Sequence, residues 1–233
     1  MTATEKLLAA HDTLCAEYDC PIGYFAALDP LSELVSSLLS HRTKNADSAR
    51  AFRALRAKYD TWEAVRDAPT ADVQTLIAAC TWPEQKAPRV QAVLRQLSET
   101  LGEPLSLDCL AAMDADAARA FLQTLPGVGP KTAAATLSFS TLRGRALPVD
   151  SHHHRVAVRL GIIGANVAVG ASHALLEAML PADWDAQTVY DHHEVLMLHG
   201  QRVCFYQAPA CEKCVVQNLC DYYAARNPAT EPA

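Results

Sequence analysis

The stretch Leu125-Pro126-Gly127-Val128-Gly129-Pro130-Lys131-Thr132 lies between segments 115–125 and 131–139, both carrying the Ala, Leu and Gln content of helices. It reads as a tight hairpin joining two helices. Gly127 and Gly129 permit backbone conformations closed to other residues and let a phosphate approach, while Pro130 suits the first turn of the next helix. Exposed amides at Gly127, Val128 and Gly129 would bind an anion, helped by the dipole of that helix. A Gly-x-Gly turn alone mostly just connects elements; Lys131 directly after it makes the string more specific.

Working outward, Leu31, Leu34, Val35, Leu38 and Leu39 recur at i, i+3, i+4, i+7 and i+8, which predicts a helix burying one stripe. Further helices are predicted over 49–59, 71–80, 87–101 and 169–180, with Pro, Gly, Asp or Thr punctuating between them. Few stretches alternate with period two, so the expected fold class is all-α. No repeat, low-complexity tract or long linker marks a boundary, and the tail 227–233 is expected to fray.

A chain of 233 residues, half of them hydrophobic, can bury one generous core or two modest ones. No apolar run is long enough to cross a bilayer, and Met1-Thr2-Ala3-Thr4-Glu5-Lys6 lacks the basic-then-apolar order of a leader. The expectation is a cytoplasmic protein without a membrane role, and nothing demands more than a monomer. The net charge of -6 argues against nucleic acid if taken alone. Its distribution does not: segment 126–160 holds Lys131, Arg143, Arg145, Arg155 and Arg159 against the single acid Asp150, while 174–194 holds Glu177, Asp183, Asp185, Asp191 and Glu194 and no Lys or Arg. One surface then faces phosphate and another water, unless both runs are simply solvated helix faces.

Eight cysteines divide unevenly. Cys15, Cys20, Cys80 and Cys109 are scattered and read as buried thiols. Cys204, Cys211, Cys214 and Cys220 crowd one stretch as Cys-x6-Cys-x2-Cys-x5-Cys, four thiolates able to converge on one inorganic centre. Generic spacing leaves a structural zinc open. His152, His153 and His154, with His192, His193 and His199, invite a second metal, but consecutive helical residues point about 100° apart, so surface or satisfied core roles are expected.

The cysteine spacing resembles the cluster loop of endonuclease III and its adenine-specific relatives, and the hairpin with its lysine looks like that of the same helix-hairpin-helix DNA glycosylase superfamily. The resemblance runs from about Leu31 to Tyr223, through Leu38-Leu39-Ser40, Pro148-Val149-Asp150-Ser151-His152 and His199-Gly200. It implies a 4Fe-4S cluster on Cys204, Cys211, Cys214 and Cys220. It also implies a helical barrel domain over 23–144 and a cluster domain from 1–22 and 145–233.

The implied activity is that of a bifunctional DNA glycosylase and abasic-site lyase of base excision repair, acting on duplex DNA that carries oxidised pyrimidines or abasic sites. Lys131 and Asp150 match the family's catalytic pair. Lys131 would attack the sugar C1′, expel the base and form a Schiff base before β-elimination, its place at a helix N-terminus favouring the neutral amine. Asp150 would stabilise the cationic sugar and help move the proton; as an isolated residue it reads as a helix cap. Flipping a base leaves a gap to fill. At the positions of the family's fillers stand Arg42, after Leu-Leu-Ser-His, and Trp82, before Lys86-Ala87; a tryptophan packed on its own domain is the plainer reading of the second.

The loop 205–210 between the first two cysteines lacks the basic residues of many relatives. Other readings left open are a water-using or adenine-mismatch glycosylase, a non-catalytic DNA-damage-binding protein, and a zinc-stabilised interaction module. Lys131 weighs against the first two.

Overall fold

The computed structural model describes residues 1–227 and contains twelve α-helices and no strand among them. These are α1 (Ala3–Tyr18), α2 (Pro30–Ser40), α3 (Asn45–Lys58), α4 (Trp62–Asp67), α5 (Thr70–Leu76), α6 (Pro83–Leu101), α7 (Ala115–Gln123), α8 (Pro130–Phe139), α9 (Ser151–Leu160), α10 (Val169–Glu177), α11 (Ala186–Arg202) and α12 (Asp221–Arg226). Most of the predicted tail lies outside the described residues. Helix ends follow local chemistry. Asp114 caps α7 through Ala117 N, Asp185 caps α11 through Thr188 N, and Pro83 and Pro130 occupy first turns where a missing N–H costs nothing. Helices α1, α4, α11 and α12 escaped the periodic reading because His, Asp, Glu and Arg interrupt their apolar faces or, in α12, the helix is only six residues long.

The chain divides into two compact units, Phe25–Gly144 and the pair of segments Met1–Tyr24 and Arg145–Ala233. In the first, α2 packs against α8, α3 and α6, while α4 and α5 pack on α6 and α7 on α8. The single stripe expected of α2 is too little. Positions Pro30 to Val35 and Ser37 to Leu39 are all buried, because neighbours surround the helix where an amphipathic reading assumes solvent. Its polar side chains find partners inside: Trp62 Nε1 donates to Ser32 Oγ (3.1 Å), and Ser37 Oγ to Glu33 Oε1 (3.0 Å).

The second unit packs α11 against α9 and α1, with α10 and α12 also on α9. Its core joins Leu7, Leu14, Val156, Leu160, Leu176 and Leu196. Here the reading of scattered cysteines needs correcting. Cys15 and Cys20 form a disulfide. Asp19 takes a left-handed conformation (φ 57°) at the end of α1 and turns the chain back, so the Cys20 amide meets the Cys15 carbonyl and the two Cα atoms lie 5.0 Å apart. Spacing along the chain did not register that turn. Cys109 is exposed, which leaves only Cys80 as a buried thiol of the expected kind.

Candidate active site and cysteine centre

Within Phe25–Gly144 the hairpin forms as read, with one change of role. Gly127 is left-handed (φ +78°), and a Cβ there would stand 2.4 Å from Arg89 Cδ, so only glycine suits the position. Val128 is an anchor instead of an anion ligand: its side chain is buried and its amide donates to the Leu125 carbonyl (3.1 Å). The closing of the turn uses the donor that a phosphate would need. The amides of Gly127 and Gly129 have no acceptor among the described residues.

Lys131 stands in the first turn of α8, half-buried. Its Nζ lies 5.9 Å from the centre of the Phe139 ring, so the side chain runs along the helix. Next to it Thr132 Oγ1 pairs with His41 Nε2 (2.8 Å) across to the end of α2. Burial, then the charges of Lys131, Lys86 and Arg89, push His41 down to about 4, which keeps this imidazole neutral at physiological pH. Glu33, buried on α2, is pushed up to about 7 by burial against the opposing influence of Ser37, Lys131 and Arg143. Sequence reading passed over both His41 and Glu33. Glu33 was detectable only as an acid on a helix otherwise apolar.

An open pocket is lined by His41, Arg42, Trp82, Gln85, Lys86 and Arg89. It therefore joins the two residues expected to fill a gap in DNA. Arg42 (φ 50°) and Trp82 (φ 55°) are both left-handed, a costly conformation for residues with a Cβ. Lys86 holds their turns: its buried ammonium donates to the Leu39 and His41 carbonyls (2.6 and 2.7 Å) and to Thr43 Oγ1 (2.7 Å), which in turn accepts from the Thr81 amide (3.0 Å). Trp82 is 46% exposed, so it is not packed away in the core.

In the other unit Asp150 is the N-cap of α9, its Oδ1 accepting from the amides of His152 (2.9 Å) and His153 (2.8 Å). The three consecutive histidines diverge. His152 meets Arg155, His154 meets the Val167 carbonyl, and His153 is fully buried. The expectation of satisfied core histidines fails for two of them: both ring nitrogens of His153 and His192 are buried without a hydrogen-bond partner. Their rings contact each other at 5.3 Å inside a ring cluster with His11, Trp184 and His193, packed edge and face so that no hydrogen bond forms to either side chain.

The basic run needs a similar correction. Arg143 donates to the carbonyls of Phe139 and Ala26, Arg145 to those of Trp184 and Pro181, and Arg155 to those of Cys204 and Gly200. Arg159 donates to the Phe205 and Tyr206 carbonyls and to Cys204 Sγ (3.2 Å). A planar fork of donors satisfies loop carbonyls well, so these arginines hold their own chain together and do not form a phosphate-facing stripe.

Cys204, Cys211, Cys214 and Cys220 line one pocket with Arg159 and Tyr222. None is in a disulfide. Burial pushes the Cys214 thiol up to about 11 and Cys220 upward as well, so ionising them calls for a positive centre among them. Among the described residues no three His, Cys, Asp or Glu side chains gather closely enough for a single metal ion.

Residues 35–181 match the HhH-GPD superfamily of base excision DNA repair proteins, and the chain belongs to that family. It is 32% identical over 201 residues to endonuclease III of Thermotoga maritima, covering 85% of each chain, and 28% identical over 193 residues to endonuclease III of Escherichia coli, covering 83% of this chain and 84% of that one. Its fold matches a solved structure of endonuclease III trapped as a covalent intermediate with DNA, at TM-score 0.82 and 22% identity over 97% of this chain and 99% of that one. No helix among the described residues is long and apolar enough to cross a membrane.

Proposed function

We propose that this chain is a bifunctional DNA glycosylase and abasic-site lyase of base excision repair, acting at the nucleoid on duplex DNA with oxidised pyrimidines or abasic sites. The observation that carries the reading is Lys131, set in the first turn of a helix directly after a hairpin whose Gly127 and Gly129 amides remain open to an anion. Those amides hold a phosphate, and the helix N-terminus favours loss of a proton from the lysine. The neutral amine then attacks C1′. The bond to the base breaks with its electron pair leaving on the base, and the Schiff base that forms on the sugar permits β-elimination of the 3′ phosphate.

Asp150 takes the role its place in the family pattern implies, stabilising positive charge on the sugar. Arg42 and Trp82 fill the gap left by the flipped nucleotide, held ready by the Lys86 ties. Cys204, Cys211, Cys214 and Cys220 would hold a 4Fe-4S cluster, whose contribution is to fix the C-terminal loop; Arg159 neutralises charge on Cys204. The test is borohydride trapping on duplex DNA with one abasic site. A covalent adduct is expected from the wild type and none from Lys131→Gln; absence of an adduct with folded wild type rejects the lyase.

A second reading, a DNA-damage-binding protein without turnover, draws on the inward-turned arginines. It predicts salt-sensitive binding to abasic DNA with no trapped adduct.

A further inference from the structure

Glu33 is a buried acid that no step above uses. Helices α2 and α8 run antiparallel: Thr132 meets His41 at one end, and at the other the Thr141 amide, just past α8, donates to the Leu28 carbonyl (2.8 Å), just before α2. Lys131 starts at the Thr132 end. Its Nζ, however, reaches to 5.9 Å from the Phe139 ring, two turns further along α8. That carries the ammonium to the level where Glu33 projects from the early part of α2. Arg143 closes the same corner, its guanidinium bonded to the Phe139 and Ala26 carbonyls.

The charges acting on the Glu33 carboxyl are accordingly those of Lys131 and Arg143, and Ser37 one turn on donates to its Oε1. The cation on α6 that approaches α2, Lys86, is turned to the far end, at Leu39 and His41. His41 also sits at that end, bonded to Thr132; the charge of Lys131 reaches it too and, with burial, keeps it from holding a proton. From α3, Asp47 is paired with Arg50 on its own helix.

Resting on the reading of Lys131 as nucleophile, we infer that Glu33 is the general base that takes the proton from Lys131, freeing its amine to attack. Glu33 rests against Ser37, so the long Lys131 side chain turns to Glu33 for the transfer: one proton leaves Nζ–H for a Glu33 carboxylate oxygen, and an ammonium and a carboxylate become an amine and a carboxylic acid. The lysine lone pair then forms the N–C1′ bond. Burial suits both ends of the transfer. An acid pushed up to about 7 still accepts a proton readily at neutral pH, which a solvated glutamate does not. Below that range Glu33 already holds a proton and cannot accept another.

The experiment is cyanoborohydride trapping on abasic duplex under single-turnover, saturating enzyme, from roughly pH 5.5 to pH 9. For the wild type the trapping rate should rise through an inflection near neutrality. Glu33→Gln should trap roughly a hundredfold more slowly at pH 7 and lose that inflection, rising only when the lysine itself deprotonates. Ser37→Ala, which removes the bond favouring the ionised carboxyl, should move the inflection upward by about half a unit to one unit and serves should Glu33→Gln fail to fold.

A folded Glu33→Gln with wild-type rate and profile overturns the assignment to Glu33 and leaves Lys131 as nucleophile. An unmoved inflection in Ser37→Ala overturns it too. No adduct from the wild type overturns both.

Discussion

The two compact units differ in how they hold the buried side chains at their centres of chemistry. In Phe25–Gly144 each buried polar side chain of the candidate site is tied to something: Lys86 to two carbonyls and a threonine, Glu33 to Ser37, and fully buried Gln91 to the Val65 and Ala68 carbonyls and to Thr70. In the unit built from both chain ends, His153 and His192 are buried with no partner, and order in the cysteine loop comes from Arg155 and Arg159 reaching into its carbonyls. A unit that presents chemistry on strained turns must fix its backbone from inside. One arranged around a cavity lined with thiols leaves that task to whatever the thiols hold.

The contrast breaks most visibly at the cysteines. Cys214→Ser removes one of the four proposed cluster ligands and should loosen the unit containing α1 and α9 to α12 while α2 to α8 keep their protection. Hydrogen exchange resolved by segment checks this; equal loss of protection in both units would mean they are not separately held. Iron analysis of the purified protein gives the companion number.

Lys86→Met comes next. It removes three bonds, strands the Leu39 and His41 carbonyls, and should destabilise by about 3 kcal/mol in urea. A loss below about 1 kcal/mol would mean that packing, and not these ties, holds the strained turns.

The smallest effect is set by acid. His153 and His192 are held well below the usual histidine range, first by burial and then by neighbouring histidines. The unfolded chain therefore binds protons that the folded chain refuses once pH falls below about 6.5. Stability is complete above that value and declines on acidification by about 1.4 kcal/mol per pH unit for each such histidine. His153→Phe should shallow that decline by one proton and, by removing two unsatisfied nitrogens, leave neutral-pH stability equal or higher. Titrating the urea midpoint against pH separates the two effects.

Much of this was written along the chain. The hairpin string, the cysteine spacing, the all-helical class and most helix positions are local signals, set by backbone freedom at glycine, by capping and by the 3.6-residue period. Family membership follows from such strings because they recur in fixed order.

What only the tertiary structure decided concerns partners far apart in sequence. Local pattern counts Arg143, Arg155 and Arg159 as charge, but packing turns them into ties for carbonyls. It marks Cys15 and Cys20 as scattered thiols, and the turn at Asp19 joins them. It sees Glu33 as the one charged residue of α2, whereas the antiparallel meeting of α2 and α8 brings the charge of Lys131 to bear on it. The physical reason is common to all three. A side chain's charge state and hydrogen bonds depend on which groups exclude water from it, and those groups are brought there by the fold from distant positions in the chain.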